Sequence, residues 1–308
     1  MLKDLVEPET GGAPEGHATY TRSSLRTLAK RLGRASAKTV GRLLKGLDYS
    51  LRTNVKRLTG KPPPHRDRQY RFIQRVKAQF RRHGEPVISV DAKKTELIGN
   101  FKNAGACWGI EPEAVNMYDF PSDATGKATP YGIYDQGANH AYGVLGISAI
   151  TAAFAVASIR RWWETHGRER YPEAHHLMIE CDGGGCNGHR PRLWKHALQQ
   201  RAEDTGLAIT VCHYPSGASK WNPIEHRVFS QISNNWAGYP LRALQRMLGL
   251  IRGTSTATGL TIDAEVDLRT YAKGLKISDQ EMRTINLTPR RLCPNLNYTI
   301  RPRQSGNS

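Results

Sequence analysis

Apolar and polar positions divide this chain into a helical front, a body that alternates strands with helices, and a stretch of weaker pattern behind it. In the front, Leu25, Leu28, Ala29 and Leu32 recur at the spacing of one helix face, with Ser23 or Ser24 available as the cap. Gly33-Arg34-Ala35 interrupts the run, and Ser36 can cap a second helix with Val40, Leu43, Leu44 and Leu47 on its inner face. Beyond the Pro-rich segment 53–65, Tyr70, Ile73, Val76, Lys77 and Phe80 predict a third helix over 67–82, which Gly84 and Pro86 end.

From Val87 the period changes. Val87 to Asp91 predicts a strand, with strand character reaching Leu97-Ile98, whereas 102–124 has no period and predicts an irregular insertion. Tyr131 to Tyr134 and Ala141 to Ser148 predict an antiparallel pair turned at Gly137 and Asn139. A helix over 152–166 follows, then a strand from His176 ending at Asp182, a helix over 191–205, a strand from Leu207 to Cys212 and a helix from Pro223 toward Trp236. An antiparallel opening followed by alternating crossovers predicts an α/β protein, a mixed five-stranded sheet flanked by helices, which is what a ribonuclease-H-like fold requires. A Rossmann-like layout is the alternative, but no Gly-x-Gly-x-x-Gly or Walker lysine motif supports it. The expected organisation is a disordered lead-in over 1–19, a helix-turn-helix-like region with a basic linker over 20–65, and a connecting helix over 66–86. The sheet domain follows over 87–240. A helical extension covers 241–300, with Leu241 to Ile251 and Ala264 to Tyr271 amphipathic, and a disordered tail ends the chain at 301–308.

Charge adds a partner to this picture. The net charge is +18, an excess that attracts polyanions, with nucleic acid ahead of an anionic membrane surface. Residues 1–86 carry 20 Lys/Arg against 7 Asp/Glu, so +13 of that charge lies in the front. Arg26, Lys30 and Arg31 on the first helix, Lys38, Arg42 and Lys45 on the second, and Lys56 and Arg57 in the linker are candidates for DNA-backbone contact. A helical hairpin with a solvated basic face is the plainer alternative. The five cysteines are an odd number in a chain of ordinary size, which speaks against a disulfide framework and for a reducing compartment. The chain starts without an apolar leader. Ser148 and Thr151 divide the apolar run Tyr142 to Ile159 into strand and helix. No membrane segment is expected, and the expected location is bacterial cytoplasm, in association with the nucleoid.

Three carboxylates are candidates for chemistry. Asp91 and Asp182 end two strands of the body, and Glu225 lies in the first turn of a later helix. Two strand-end aspartates and a helix-borne glutamate can hold the pair of divalent ions, about 4 Å apart, that phosphodiester cleavage uses. Asp182 precedes Gly183-Gly184-Gly185, so it can equally be a turn former. Asn222, Pro223 and Glu225 can equally form a capping box. Cys181, Cys186, His189, Cys212 and His213 are a loose zinc alternative, although alternation puts Cys181 and Cys212 in a core.

Three segments carry a resemblance. They are Val87-Ile-Ser-Val-Asp91-Ala-Lys-Lys-Thr-Glu-Leu-Ile-Gly-Asn-Phe-Lys-Asn-Ala-Gly105, Cys181-Asp182-Gly-Gly-Gly-Cys-Asn187, and His213-Tyr-Pro-Ser-Gly-Ala-Ser-Lys-Trp-Asn-Pro-Ile-Glu225-His-Arg-Val-Phe229. Together they resemble the DDE domain of the Rhodopirellula-type transposases of bacterial insertion sequences, over about residues 20–303. The resemblance implies a ribonuclease-H-like catalytic domain with Asp91, Asp182 and Glu225 as ligands of two Mg²⁺ ions, for which Mn²⁺ can substitute. It also makes Lys220 and Asn222 candidates for contact with the transferred or target strand, and Lys93 is a further candidate for DNA contact. The implied partners are double-stranded DNA, as terminal inverted repeats and target, and a second copy of the chain in the DNA complex. Relative to that family the N-terminal region reads as shortened. A copy that binds DNA without cutting it, and a ribonuclease-H-like nuclease, are therefore the alternatives to a full transposase.

Overall fold

The computed structural model describes residues 23–33, 35–49 and 65–303. The expectations for the lead-in 1–19, for Lys56 and Arg57 in the linker, and for 304–308 of the tail fall outside the described residues; the disorder expected from 301 is corrected for 301–303, where the Arg301 amide donates to Asn286 O and Arg303 pairs with Glu203. The chain forms two compact units, 1–59 and 60–308.

In the first unit, helices α1 (Leu25–Leu32) and α2 (Ala37–Gly46) form as the pattern predicts. Ser24 and Ser36 accept hydrogen bonds from the Thr27 and Thr39 amides, and Gly33 closes α1 at φ +67°, a left-handed conformation that glycine adopts without a Cβ clash. The small core is Leu28, Val40 and Leu44, while Leu25, Leu43 and Leu47 are exposed. All six basic candidates, Arg26, Lys30, Arg31, Lys38, Arg42 and Lys45, lie on the exposed surface of this unit.

The second unit begins with α3 (Arg66–Arg82). This helix was expected as a connector, yet it belongs to the body. Ile73 and Val76 pack against Val87, Met178, Cys212 and Tyr214, and the buried Gln69 amide bonds His213 O and Asn297 Oδ1. Its apolar stripe gives it no stable existence away from the sheet.

The body is one nine-stranded sheet. Its centre is the five strands that the pattern predicts: β1 (Val87–Ala92), β3 (Gly126–Asp135), β4 (His140–Gly146), β5 (His176–Asp182) and β6 (Ala208–Tyr214). They lie in the order β4-β3-β1-β5-β6, antiparallel from β4 to β1 and parallel from β1 to β6. Four short strands extend this centre. They are β2 (Glu96–Ile98) on β3, β7 (Thr261–Asp267) parallel to β4, and β9 (Asn297–Ile300) and β8 (Leu287–Pro289) beyond β6.

These additions correct the expected helical extension over 241–300. Leu244–Arg252 is helical, but the segment from Ala264 is not. Thr261-Ile-Asp-Ala-Glu-Val-Asp267 buries Ile262 and Ala264 and exposes Thr261 and Asp263, the period of two that a half-buried strand needs, while Asp267 at its end is buried. The expected boundary at 240 fails for the same reason, since 241–300 supplies three of the strands.

Two cores sandwich the sheet. On one face α4 (Ala152–Trp162), prolonged by a π turn at Trp163–Gly167, and α5 (Arg192–Thr205) cover Ile88, Val90, Ile133, Ile179 and Val211. On the other face, α3 lies over β5 and β6. Over β3 and β4 lie α6 (Ser230–Asn235), which a π turn at Glu225–Phe229 precedes, and α7 (Leu244–Arg252). The apolar run divides as expected, with β4 ending at Gly146 and α4 starting at Ala152. No helix among the described residues is long and apolar enough to cross a membrane. Residues 102–124 are irregular apart from a turn at Pro121–Asp123. All five cysteines are free.

Candidate active site

Strand register brings the two aspartates together. β1 and β5 are parallel with Val90 beside Cys181, so the next residues, Asp91 and Asp182, leave the sheet side by side. By alternation they share the face of Ser89, which meets the turn carrying Glu225.

That turn is held by one hydroxyl. Ser89 Oγ donates to Asn222 Oδ1 (2.5 Å) and accepts from the Ile224 amide (3.1 Å). The Asn222 amide donates to Val90 O (3.3 Å) and Asp182 Oδ1 (3.4 Å). The capping box considered for Asn222 and Glu225 is therefore not formed by the Asn222 side chain, which points into the sheet. Opposite Asp91 on β3 stands Gly132, where a Cβ would lie 2.7 Å from Ile224 Cδ1 and 2.8 Å from Phe229 Cε1. Only glycine lets the turn with Glu225 sit this close to Asp91.

The electrostatics follow from burial. Asp91 is pushed up to about 8, first by burial and then by the Asp182 charge, with Glu225 adding to both; the Ala92 amide, 2.8 Å from Asp91 Oδ1, offsets part of this. Asp182 is pushed up to about 6 by burial and then by Glu225, against the Asn222 amide. Among the described residues no lysine or arginine is a leading influence on either carboxylate, although Arg190 lines the adjoining cleft. A buried set of mutually repelling carboxylate oxygens is a donor set that a hard divalent cation completes. The cleft beside it, of about 740 Å³, is lined by Asp91, Asp182, Gly183, Gly184, His189 and Arg190, among others. Elsewhere in the chain, ligand atoms of His140, His166 and Asp263 lie within 4.8 Å of one another, and these three could hold a metal ion.

Behind Asp182 lies a buried relay. Trp194 Nε1 donates to Tyr298 Oη (3.0 Å), and the His213 ring spans Tyr298 Oη (3.1 Å) and the Asp182 carbonyl (3.1 Å). Burial pushes His213 down to about 3, so it is neutral. With Tyr298 donating to Nε2, Nδ1–H donates to Asp182 O and steadies the strand end. The loose zinc alternative does not form, because Cys181 and Cys212 are buried in opposite cores.

The expected DNA contacts divide. Lys220 is exposed. Asn222 is corrected: fully buried and bonded on both ends of its amide, it positions the site and cannot reach a DNA strand. Lys93 is largely covered, pairing with Glu96 Oε1 (3.1 Å) and lying over the Trp236 ring (4.4 Å). Missed in the sequence is a groove of about 990 Å³ lined by Arg68, Arg71, Arg75, Arg290 and Arg291, with no acidic residue in its lining. The helical spacing of Arg68, Arg71 and Arg75 was a signal for it; the meeting with Arg290 and Arg291, more than two hundred residues away, was not legible.

Over residues 1–302 the chain matches the family described as the Rhodopirellula transposase DDE domain, and it belongs to that family. Its mixed sheet with flanking helices is the ribonuclease-H-like fold of DDE transposases, and membership implies DNA as a partner. No curated protein matches the chain. Among solved structures it is similar to the mariner Mos1 paired end complex with Mg, with TM-score 0.47 and 13% identity over 80% of this chain and 67% of that one. It is also similar to the Mos1 transposase paired-end complex with left transposon end, with TM-score 0.44 and 13% identity over 80% and 67%. For the Mos1 Strand Transfer Complex the TM-score is 0.43, with 11% identity over 79% and 66%.

Proposed function

We propose that this chain cuts and joins DNA strands at the ends of an insertion sequence, with Asp91, Asp182 and Glu225 holding two Mg²⁺ ions, or Mn²⁺ in their stead. What supports the reading is the convergence of two strand-end aspartates and a helix-borne glutamate, with no lysine or arginine of the described residues among the leading influences on the two aspartates. Such ions, when bound, lower the pKa of the attacking water or 3′-hydroxyl and stabilise the leaving 3′-oxygen. The chain's own part is orientation. Ala92 N–H holds Asp91, the Asn222 amide holds Asp182, and Ser89 holds the turn that bears Glu225. Gly183-Gly184-Gly185 leaves backbone open to a phosphate. Arg26, Lys30, Arg31, Lys38, Arg42 and Lys45, together with Lys56, Arg57 and Lys220, bind the duplex through its phosphates. The substrates are terminal inverted repeats and target DNA, and two copies of the chain handle the two ends.

A second reading, occupancy of DNA without cutting, is favoured by one observation: the exposed basic side chains of the first unit can bind phosphates whether or not the carboxylates hold ions. A short pre-cleaved duplex in Mg²⁺ separates the two, with bound fractions equalised beforehand. Strand transfer by the wild type, lost by at least ~100-fold in Asp182→Asn, is the expected result. A wild type that binds and never cuts makes the second reading the function. Unchanged activity of Asp182→Asn removes Asp182 from the site.

A further inference from the structure

The chain carries a second convergence of ligands, at the other end of the sheet. His140 opens β4 and pairs with Asp135, the last residue of β3, whereas Gly132, opposite Asp91, pairs with Gly143. His166 lies in the π turn that prolongs α4, and Asp263 lies on β7, the neighbour of β4. Three elements far apart in sequence thus bring two imidazoles and one carboxylate together.

Their geometry is that of a coordination shell. His140 Nε2 and His166 Nε2 stand 3.2 and 3.4 Å from the same atom, Asp263 Oδ2, and the three ligand atoms lie within 4.8 Å of one another. Tetrahedral bonds of ~2.0–2.1 Å from a metal to such ligands separate them by about 3.3 Å. The two rings are tilted by 54°, with centroids 4.7 Å apart, rather than stacked. His140 is buried, and among the described residues its Nδ1 has no hydrogen-bond partner. Burial lowers its pKa, with His166 and Arg170 acting in the same direction against Asp263, which keeps the ring in the form that ligates. Asp263 is 60% exposed, so an ion reaches the group from solvent and water can take a fourth position.

We propose that His140, His166 and Asp263 bind one borderline transition-metal ion of the Zn²⁺ class, in a structural site separate from the catalytic carboxylates. Imidazole nitrogens select such ions over Mg²⁺, which demands oxygen and keeps its water. The ion clips the edge strand β7 to β4 and to the end of α4. The site does not depend on the catalytic reading of Asp91, Asp182 and Glu225.

The test is ZnCl₂ titrated into the metal-stripped full chain in excess Mg²⁺, followed by calorimetry and by melting temperature. One ion should bind and raise the melting temperature. His166→Gln and Asp263→Asn, both at partly open positions, should melt like the wild type without metal, yet bind Zn²⁺ ~100-fold more weakly and lose the rise. Co²⁺ in place of Zn²⁺ should give visible bands without a thiolate charge-transfer band. The proposal is overturned by a wild type that binds no Zn²⁺, by variants that bind as well as the wild type, by displacement with Mg²⁺, or by a thiolate band.

Discussion

Two acidic side chains on one face of β5 have opposite surroundings. Glu180 is completely buried but answered: Lys77 Nζ lies 2.8 Å from Oε1, and Gln136 and Tyr214 donate to Oε2 at 2.9 and 3.0 Å. Asp182, two residues on, is less buried, and among the described residues its carboxylate accepts from the Asn222 amide alone, at 3.4 Å. Asp135, also fully buried, is satisfied like Glu180, by Arg170, Tyr171 and two backbone amides. Burial alone therefore does not single out a candidate metal ligand in this fold; what separates Asp182 from Glu180 and Asp135 is that no described lysine or arginine forms an ion pair with it.

The largest effects should come from exchanging the roles of these neighbours. Asp182→Asn should abolish strand transfer while leaving the fold intact. Glu180→Gln should leave the carboxylate site assembled but destabilise the protein by about 3–5 kcal/mol in urea unfolding, since Lys77 is left buried without its counter-charge. An unchanged stability for Glu180→Gln would break the comparison.

Next comes pH. The folded pKa of Asp91, about 8, lies above its ordinary 3.8, so the neutral acid favours the fold below about pH 4 and that contribution is lost as pH rises through 8. Asp182 acts in the same direction up to about 6. Melting temperatures in chelator should fall between pH 5 and 8. Asp91→Asn should flatten the slope, and Mg²⁺ should restore stability mainly at the alkaline end. A slope that is the same in Asp91→Asn would detach it from this residue.

A smaller effect is expected of Gly132→Ala. The added methyl overlaps Ile224 and Phe229 and should cost about 1–3 kcal/mol, while lifting Glu225 and slowing cleavage. Wild-type stability and rate would show that the turn is not seated through this contact. The smallest effect belongs to the arginine groove. Arg71→Ala and Arg291→Ala should each lower the slope of log K against log salt by ~1 for duplex binding, with little sequence preference. A slope unchanged in the double variant would exclude the groove as a phosphate track.

Much of this was legible where the pattern is local. Strand alternation and helix spacing gave the five central strands, the caps at Ser24 and Ser36 and the strand-end positions of Asp91 and Asp182, because each depends on neighbours within a few residues. What was not legible depends on pairing across the chain. Nothing near Thr299 says that residues 297–300 insert between β6 and β8, and nothing near Asn222 says that its amide turns toward Ser89 instead of toward its own helix. His140, His166 and Asp263 carry no spacing signal at all, since three separate elements supply them.

The Ser89 hydroxyl also sets an order of assembly. It bonds a residue 133 positions away, so the closure of a long loop must precede any gain from that contact. β1 and β5 can align Asp91 with Asp182 before the Glu225 turn docks, because their pairing does not involve that turn. A chain at that stage has two acids and no third, enough to attract a cation but without the full ligand set. The hydroxyl thus works as a latch that closes late. It ties completion of the candidate ligand set to the completion of folding.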